Sequence, residues 1–139
     1  MADWLTHPVF GDLQWQEKFS WWFTQIFLES GKRLDVIIDP SDGEPTEYVE
    51  RVSQFYCRVM DSERDILREV IKQRLLFLYD VWRQEGDPEL TAEELQDQLN
   101  LTCVRIETDS PIITLGYELG DFFGGHTVDV KVNEQLQVK

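Results

Sequence analysis

The chain has 139 residues, five tryptophans and a formal net charge of −14, with 42% hydrophobic and 12% aromatic residues. This apolar content excludes a disordered chain despite the charge. The acidic balance argues against nucleic-acid binding by phosphate neutralisation and against docking on an anionic membrane, and it suits either a basic protein partner or simple solubility.

Residues 1–12 read as an irregular lead-in, with Pro8 and Gly11 as breakers. His7, beside Pro8, reads as an exposed terminal residue. Strands are predicted over 13–38, first from Leu13 through Trp15 and then from Trp21 to Leu28. Glu29-Ser30-Gly31-Lys32 forms a turn, and Leu34 to Ile38 completes a hairpin. A helix through 16–28 is the competing reading of that stretch. Adjacent Trp21 and Trp22 point to opposite faces of a strand, so both cannot enter one core. If the second face is open, one of them joins Phe23 or Phe27 in an exposed aromatic patch of the kind that marks interfaces.

Asp39-Pro40-Ser41-Asp42-Gly43-Glu44-Pro45 is the clearest loop. Its oxygens suit a hard cation, but it lacks the spacing of a calcium loop and its distal glutamate, so it reads as a solvated turn. Helices are predicted over 46–99. Thr46 can cap the first, in which Tyr48, Val49, Val52, Phe55, Tyr56 and Val59 recur at steps of three and four. Asp61-Ser62 marks a break, and Ser62 with Asp65 resembles a capping box. The second helix carries Ile66, Leu67, Val70, Ile71, Leu75, Leu78, Tyr79 and Trp82 on one face. Leu76, Phe77 and Val81 widen it, which predicts a central helix covered on more than one side. After Gly86-Asp87-Pro88, Thr91 and Glu94 form a true capping-box pattern for a short third helix.

Acidic residues dominate 85–97, where no basic residue occurs, and Glu89, Glu93 and Glu94 there form a candidate acidic patch for a basic partner. Strands return over 101–138. Leu101 and Cys103, then Val104 and Ile106, begin them, and Asp109-Ser110-Pro111 turns the chain into Ile112–Glu118. Val128, Val130 and Val132 alternate with Thr127, Asp129 and Lys131, the cleanest two-residue period in the chain. Strands from both ends with helices between them predict one α+β domain over 1–139. Its sheet is mainly antiparallel, of about five to seven strands, with about three inserted helices packed on one face. A chain of this size buries roughly two-thirds of its unfolded surface and can fold without disulfides or metals.

Chemistry-bearing signals are sparse. Cys57 and Cys103 lie apart in apolar stretches with no metal-ligand spacing, and read as two buried free thiols of a reducing compartment. No secretory leader is evident and no apolar run is long enough to span a membrane, so a cytoplasmic protein is expected. The most site-like stretch is Gly120-Asp121-Phe122-Phe123-Gly124-Gly125-His126, which leads into the last strand. His126 could act as a general base oriented by Asp121, beside a pocket lined by Phe122 or Phe123. It has no nucleophile elbow and no phosphate cradle, and the glycines equally suit a tight structural corner. No cofactor and no metal site is expected.

Three segments carry a resemblance to a known family. They are His7-Pro8-Val9-Phe10-Gly11-Asp12-Leu13 with Trp15, Leu78-Tyr79-Asp80-Val81-Trp82-Arg83, and Asp121 to Val130 with its Phe-x-Gly-His-x-hydrophobic pattern. On them the chain resembles the bacterial "domain of unknown function 2262" family over most of its length. The resemblance implies no activity. By analogy, related small acidic bacterial domains include immunity proteins that neutralise toxins. The expected function is therefore a non-enzymatic binding domain. One form of it is an immunity-type inhibitor of a basic toxin, and a homodimer through an aromatic sheet face is a further possibility. The alternative is a small enzyme or ligand-binding domain around His126 and Asp121.

Overall fold

The computed structural model describes residues 3–28, 31–82, 85–86, 89–118 and 127–138. Seven strands form one sheet in sequence order: β1 (Trp4–His7), β2 (Gly11–Gln16), β3 (Trp21–Phe27), β4 (Arg33–Ile38), β5 (Asn100–Glu107), β6 (Ile112–Glu118) and β7 (Thr127–Asn133). All neighbours pair antiparallel except β4 and β5, which run parallel. The helical segment between them causes this exception, because a long crossover returns the chain to the end from which it started.

The helices are α1 (Pro45–Asp61), α2 (Glu63–Val70), a π-helical turn at Ile71–Leu75, α3 (Leu76–Trp82) and α4 (Ala92–Gln98). The π turn joins α2 and α3 into one rod, so among the described residues the helices amount to three, as the apolar spacing predicts. They cover one face of the sheet. Leu13, Trp22, Leu34, Val36, Ile38, Val104, Ile106, Ile113, Leu115, Tyr117 and Val132 point into that layer and are nearly inaccessible. The helices meet them with Tyr48, Val49, Val52, Phe55, Val59, Leu67, Ile71, Tyr79 and Leu95.

Several expectations need correction. The lead-in is not irregular: Trp4–His7 pairs with β2, with His7 opposite Gly11, and Gly11 at φ +73° closes that hairpin. Pro8 lies in the turn, where its lack of an N–H costs no ladder bond. His7 is buried, not exposed. Its Nε2 lies 2.5 Å from Glu50 Oε2, its Nδ1 accepts from the Val9 N–H, and its ring packs on Phe10.

The first helix starts at Glu44 and Pro45 rather than at Thr46, since Pro is pre-shaped for the first helical position. Ser62 makes no side-chain cap, so the Ser62–Asp65 box does not form. Thr91 and Glu94 do form theirs, with both reciprocal bonds present. The second rod is open on one side: Phe77 and Val81 are 72% and 60% exposed. Cys57 is exposed and Cys103 half-buried, so neither is a core thiol.

In β5 the residue Thr102 is an extra residue, and the register slips between Leu101 and Cys103. The bulge turns Cys103 to the outer face and lets Val104 and Ile106 face inward, which accounts for the broken alternation there.

Candidate functional site on the open sheet face

Strand alternation sends every second side chain to the sheet face opposite the helices. Among the described residues no helix or strand covers that face. One row across it runs Trp4, Gln14, Phe23, Ile37, Arg105, Thr114 and Lys131 through successive strand pairs. Its first half carries Trp4, Phe23 and Ile37 around Gln14, and Trp4 is 59% exposed.

Trp21 stands beside this row on the same face, two residues before Phe23 and opposite Gln16. It is half-buried, and Phe19 stacks on its ring at 4.8 Å between centroids and 14° between planes. Its Nε1 donates to Gln16 Oε1 at 2.8 Å. The Arg105 guanidinium lies 5.2 Å from its ring centroid and is held there by Asp39, whose carboxylate accepts from Nε and Nη2 at 3.1 Å each. That pairing raises the Arg105 pKa, so the cation is permanent. Lys18 sits over Phe19 at 5.5 Å. The result is an aromatic platform built on the Phe19–Trp21 stack and flanked by Arg105, whose charge Asp39 neutralises, a composition typical of contact surfaces.

Trp22 belongs to the other face. It is 1% exposed, its Nε1 donates to Tyr48 Oη at 2.7 Å, and its ring meets Trp15 edge-on at 5.3 Å. The residue is a core member and not a surface binder, so Trp21 alone of the pair can meet a partner. Phe27, at 73% exposure, stands farther along β3.

The acidic patch is partly engaged. Glu94 completes the α4 capping box, and Asp97 lies 3.7 Å from Arg64. Glu93 is exposed in the first turn of α4, Glu89 is exposed just before it, and Glu89 has an interaction of its own. In the acidic loop, both oxygens of Asp39 are taken by Arg105, and Ser41 donates to Asp109 at 2.6 Å. No trio of His, Cys, Asp or Glu among the described residues is arranged to hold a metal. Asp121, Phe122, Phe123 and His126 lie outside the described residues.

Sequence reasoning did not anticipate Phe19, Trp4 or Arg105. Phe19 lies in the turn between β2 and β3, and Arg105 reaches Trp21 only because β5 pairs beside β4. The Arg105–Asp39 pair had no sequence signal, as its members are 66 positions apart.

This is an α+β protein with an aromatic sheet face that no described helix or strand covers. The chain belongs to the family described as "Uncharacterized protein conserved in bacteria (DUF2262)", whose model matches residues 7–139. No curated protein and no solved structure matches it. Among the described residues no helix is long and apolar enough to cross a membrane.

Proposed function

We propose that the protein is a non-enzymatic cytoplasmic binding domain that receives a basic protein partner on the outer face of its sheet. The observation that carries this reading is the Phe19–Trp21–Arg105 platform on a face that no described element covers. A half-buried tryptophan, stacked and cation-flanked, is a preorganised anchor of the kind that dominates interface energetics. The net charge of −14 selects the partner: it accelerates encounter with a basic surface and repels acidic ones. Glu89 and Glu93 add to that field. An immunity-type inhibitor that occludes a basic toxin is the concrete form this reading takes.

The test is affinity capture from the native host with wild-type protein and Trp21→Ala, at low salt and at high salt. The expected result is a Lys- and Arg-rich protein retained at low salt, weakened by salt and lost with Trp21→Ala. Relief of that protein's toxicity on co-expression would establish the immunity form. Recovery of no specific protein at either salt refutes the reading. A dimer in light scattering that Trp21→Ala dissolves would give the face to a second copy instead.

A further inference from the structure

The β7 edge of the sheet offers a different surface. β7 is the last strand in the order, and beyond it the one described neighbour is Val138, which forms an antiparallel bridge with Val132. The Asn133 N–H donates to Gln137 O at 3.0 Å, which shows which backbone groups of β7 face outward. Residues two apart along a strand point their N–H and C=O the same way, so those of Thr127 and Asp129 also aim at the open edge.

A cleft of about 610 Å³ runs beside this edge. Val70, Gln73, Arg74, Leu75 and Leu78 form its helical wall, Thr127 to Val130 its strand wall, and Val138 one end. Consecutive β7 residues line it, so it follows the strand's edge and not one face alone. A second cavity of about 420 Å³ shares Val70, Gln73 and Val138, so the groove continues along α2 past Asp65 and Glu69. The helical wall includes the π turn, whose extra residue widens the rod where it faces the strand.

We infer that the Thr127–Val130 edge of β7 is a strand-addition site for an extended segment of a partner protein, with a Lys or Arg opposite Asp129 and apolar residues opposite Val128 and Val130. The alternation dictates this pattern. Neighbours of buried Val128 and Val130 enter the cleft, against Leu75 and Leu78. The neighbour of Asp129 lies on the outer face, where the exposed carboxylate selects a cation. Val138 already pairs antiparallel on this edge, so the site accepts such a strand. A second copy fits less well. Self-pairing centred on Asp129 sets two carboxylates face to face, that centred on Val128 offers Asp129 only Thr127 and no cation, and that centred on Val130 needs the edge of Val132 that Val138 holds. The inference is independent of the Trp21 platform, which lies on the outer face over β3 to β5 and not on the β7 edge.

The experiment compares two capped heptapeptides, Thr-Thr-Val-Lys-Val-Thr-Thr and the same sequence with Glu in place of Lys, by NMR titration with hydrogen exchange. The Lys peptide is expected to slow exchange of the Thr127 and Asp129 amides and to bind roughly fivefold or more tightly than the Glu peptide. Asp129→Asn should abolish that preference. Asp42→Asn, an equal charge change in the β4–α1 loop, should keep it, and Trp21→Ala should leave it unchanged. The inference is overturned if neither peptide protects those amides at millimolar concentration, or if the preference survives Asp129→Asn. It is equally overturned if the free protein protects those amides as its own concentration rises, which would assign the edge to a second copy.

Discussion

Trp22 ties the first hairpin to the first helix through its bond to Tyr48, with both side chains inside the core. Trp22→Phe would leave the Tyr48 hydroxyl without its partner and remove part of the indole's packing, so a loss of about 2–3 kcal/mol is expected. Urea unfolding followed by circular dichroism checks it. The core tyrosines also set the alkaline limit. Burial pushes Tyr56 up to about 12 and raises Tyr48 and Tyr117, the latter further through its bond to Glu63. A tyrosine in the unfolded chain ionises near pH 10. Above that the folded state holds more protons than the unfolded one, so stability falls as pH rises. The contribution of Tyr56 is intact below about pH 10 and is lost as pH climbs through about 12. Burial also raises the Cys57 and Cys103 thiols, so denaturant midpoints measured from pH 8 upward should begin to fall above about pH 8.5 and fall more steeply from about pH 10.

Among the elements, α4 depends on its cap. It spans only Ala92–Gln98, too short to persist alone, and it is held by the Thr91–Glu94 box, by Leu95 in the core and by Gln96 donating to the Arg64 carbonyl. Thr91→Ala removes the side-chain acceptor and should cost about 1 kcal/mol, read as a lower urea midpoint with an unchanged slope. The elements also show what a single chain makes legible. The helical faces and the β7 alternation read directly, because each is a local period. Strand β1 did not, because its four residues are too few for a pattern and Pro8 and Gly11 argue for irregularity until β2 is seen to pair with it. The π turn has no sequence signature of its own, and the bulge at Thr102 was visible only as a broken alternation.

At the scale of the whole molecule, the charge works against the fold. With 27 acidic and 13 basic residues, self-repulsion destabilises the compact state, and screening relieves it. Stability is expected to rise between about 10 mM and about 150 mM NaCl, as the Debye length falls from roughly 30 Å to roughly 8 Å. Thermal unfolding at the two salts measures this, and an unchanged midpoint would refute it. The same rise in salt should weaken binding of a basic partner, which separates the two effects of one charge.

The sequence by itself determined the class of the protein, the position of its helices, the late valine strand, the capping box and the family. These are carried by composition, by periods of two and about 3.6 residues, and by short motifs, all of which act locally along the chain. Only the tertiary structure decided which of Trp21 and Trp22 faces outward, that His7 is buried against Glu50, and that Arg105 stands over Trp21. It also decided that the sheet presents two different surfaces, a platform on the outer face around β3 and, among the described residues, an unpaired edge along Thr127–Val130 of β7. The reason is physical: facing and adjacency depend on strand order and on which sheet face the helices cover, and those follow from packing between residues far apart in the chain.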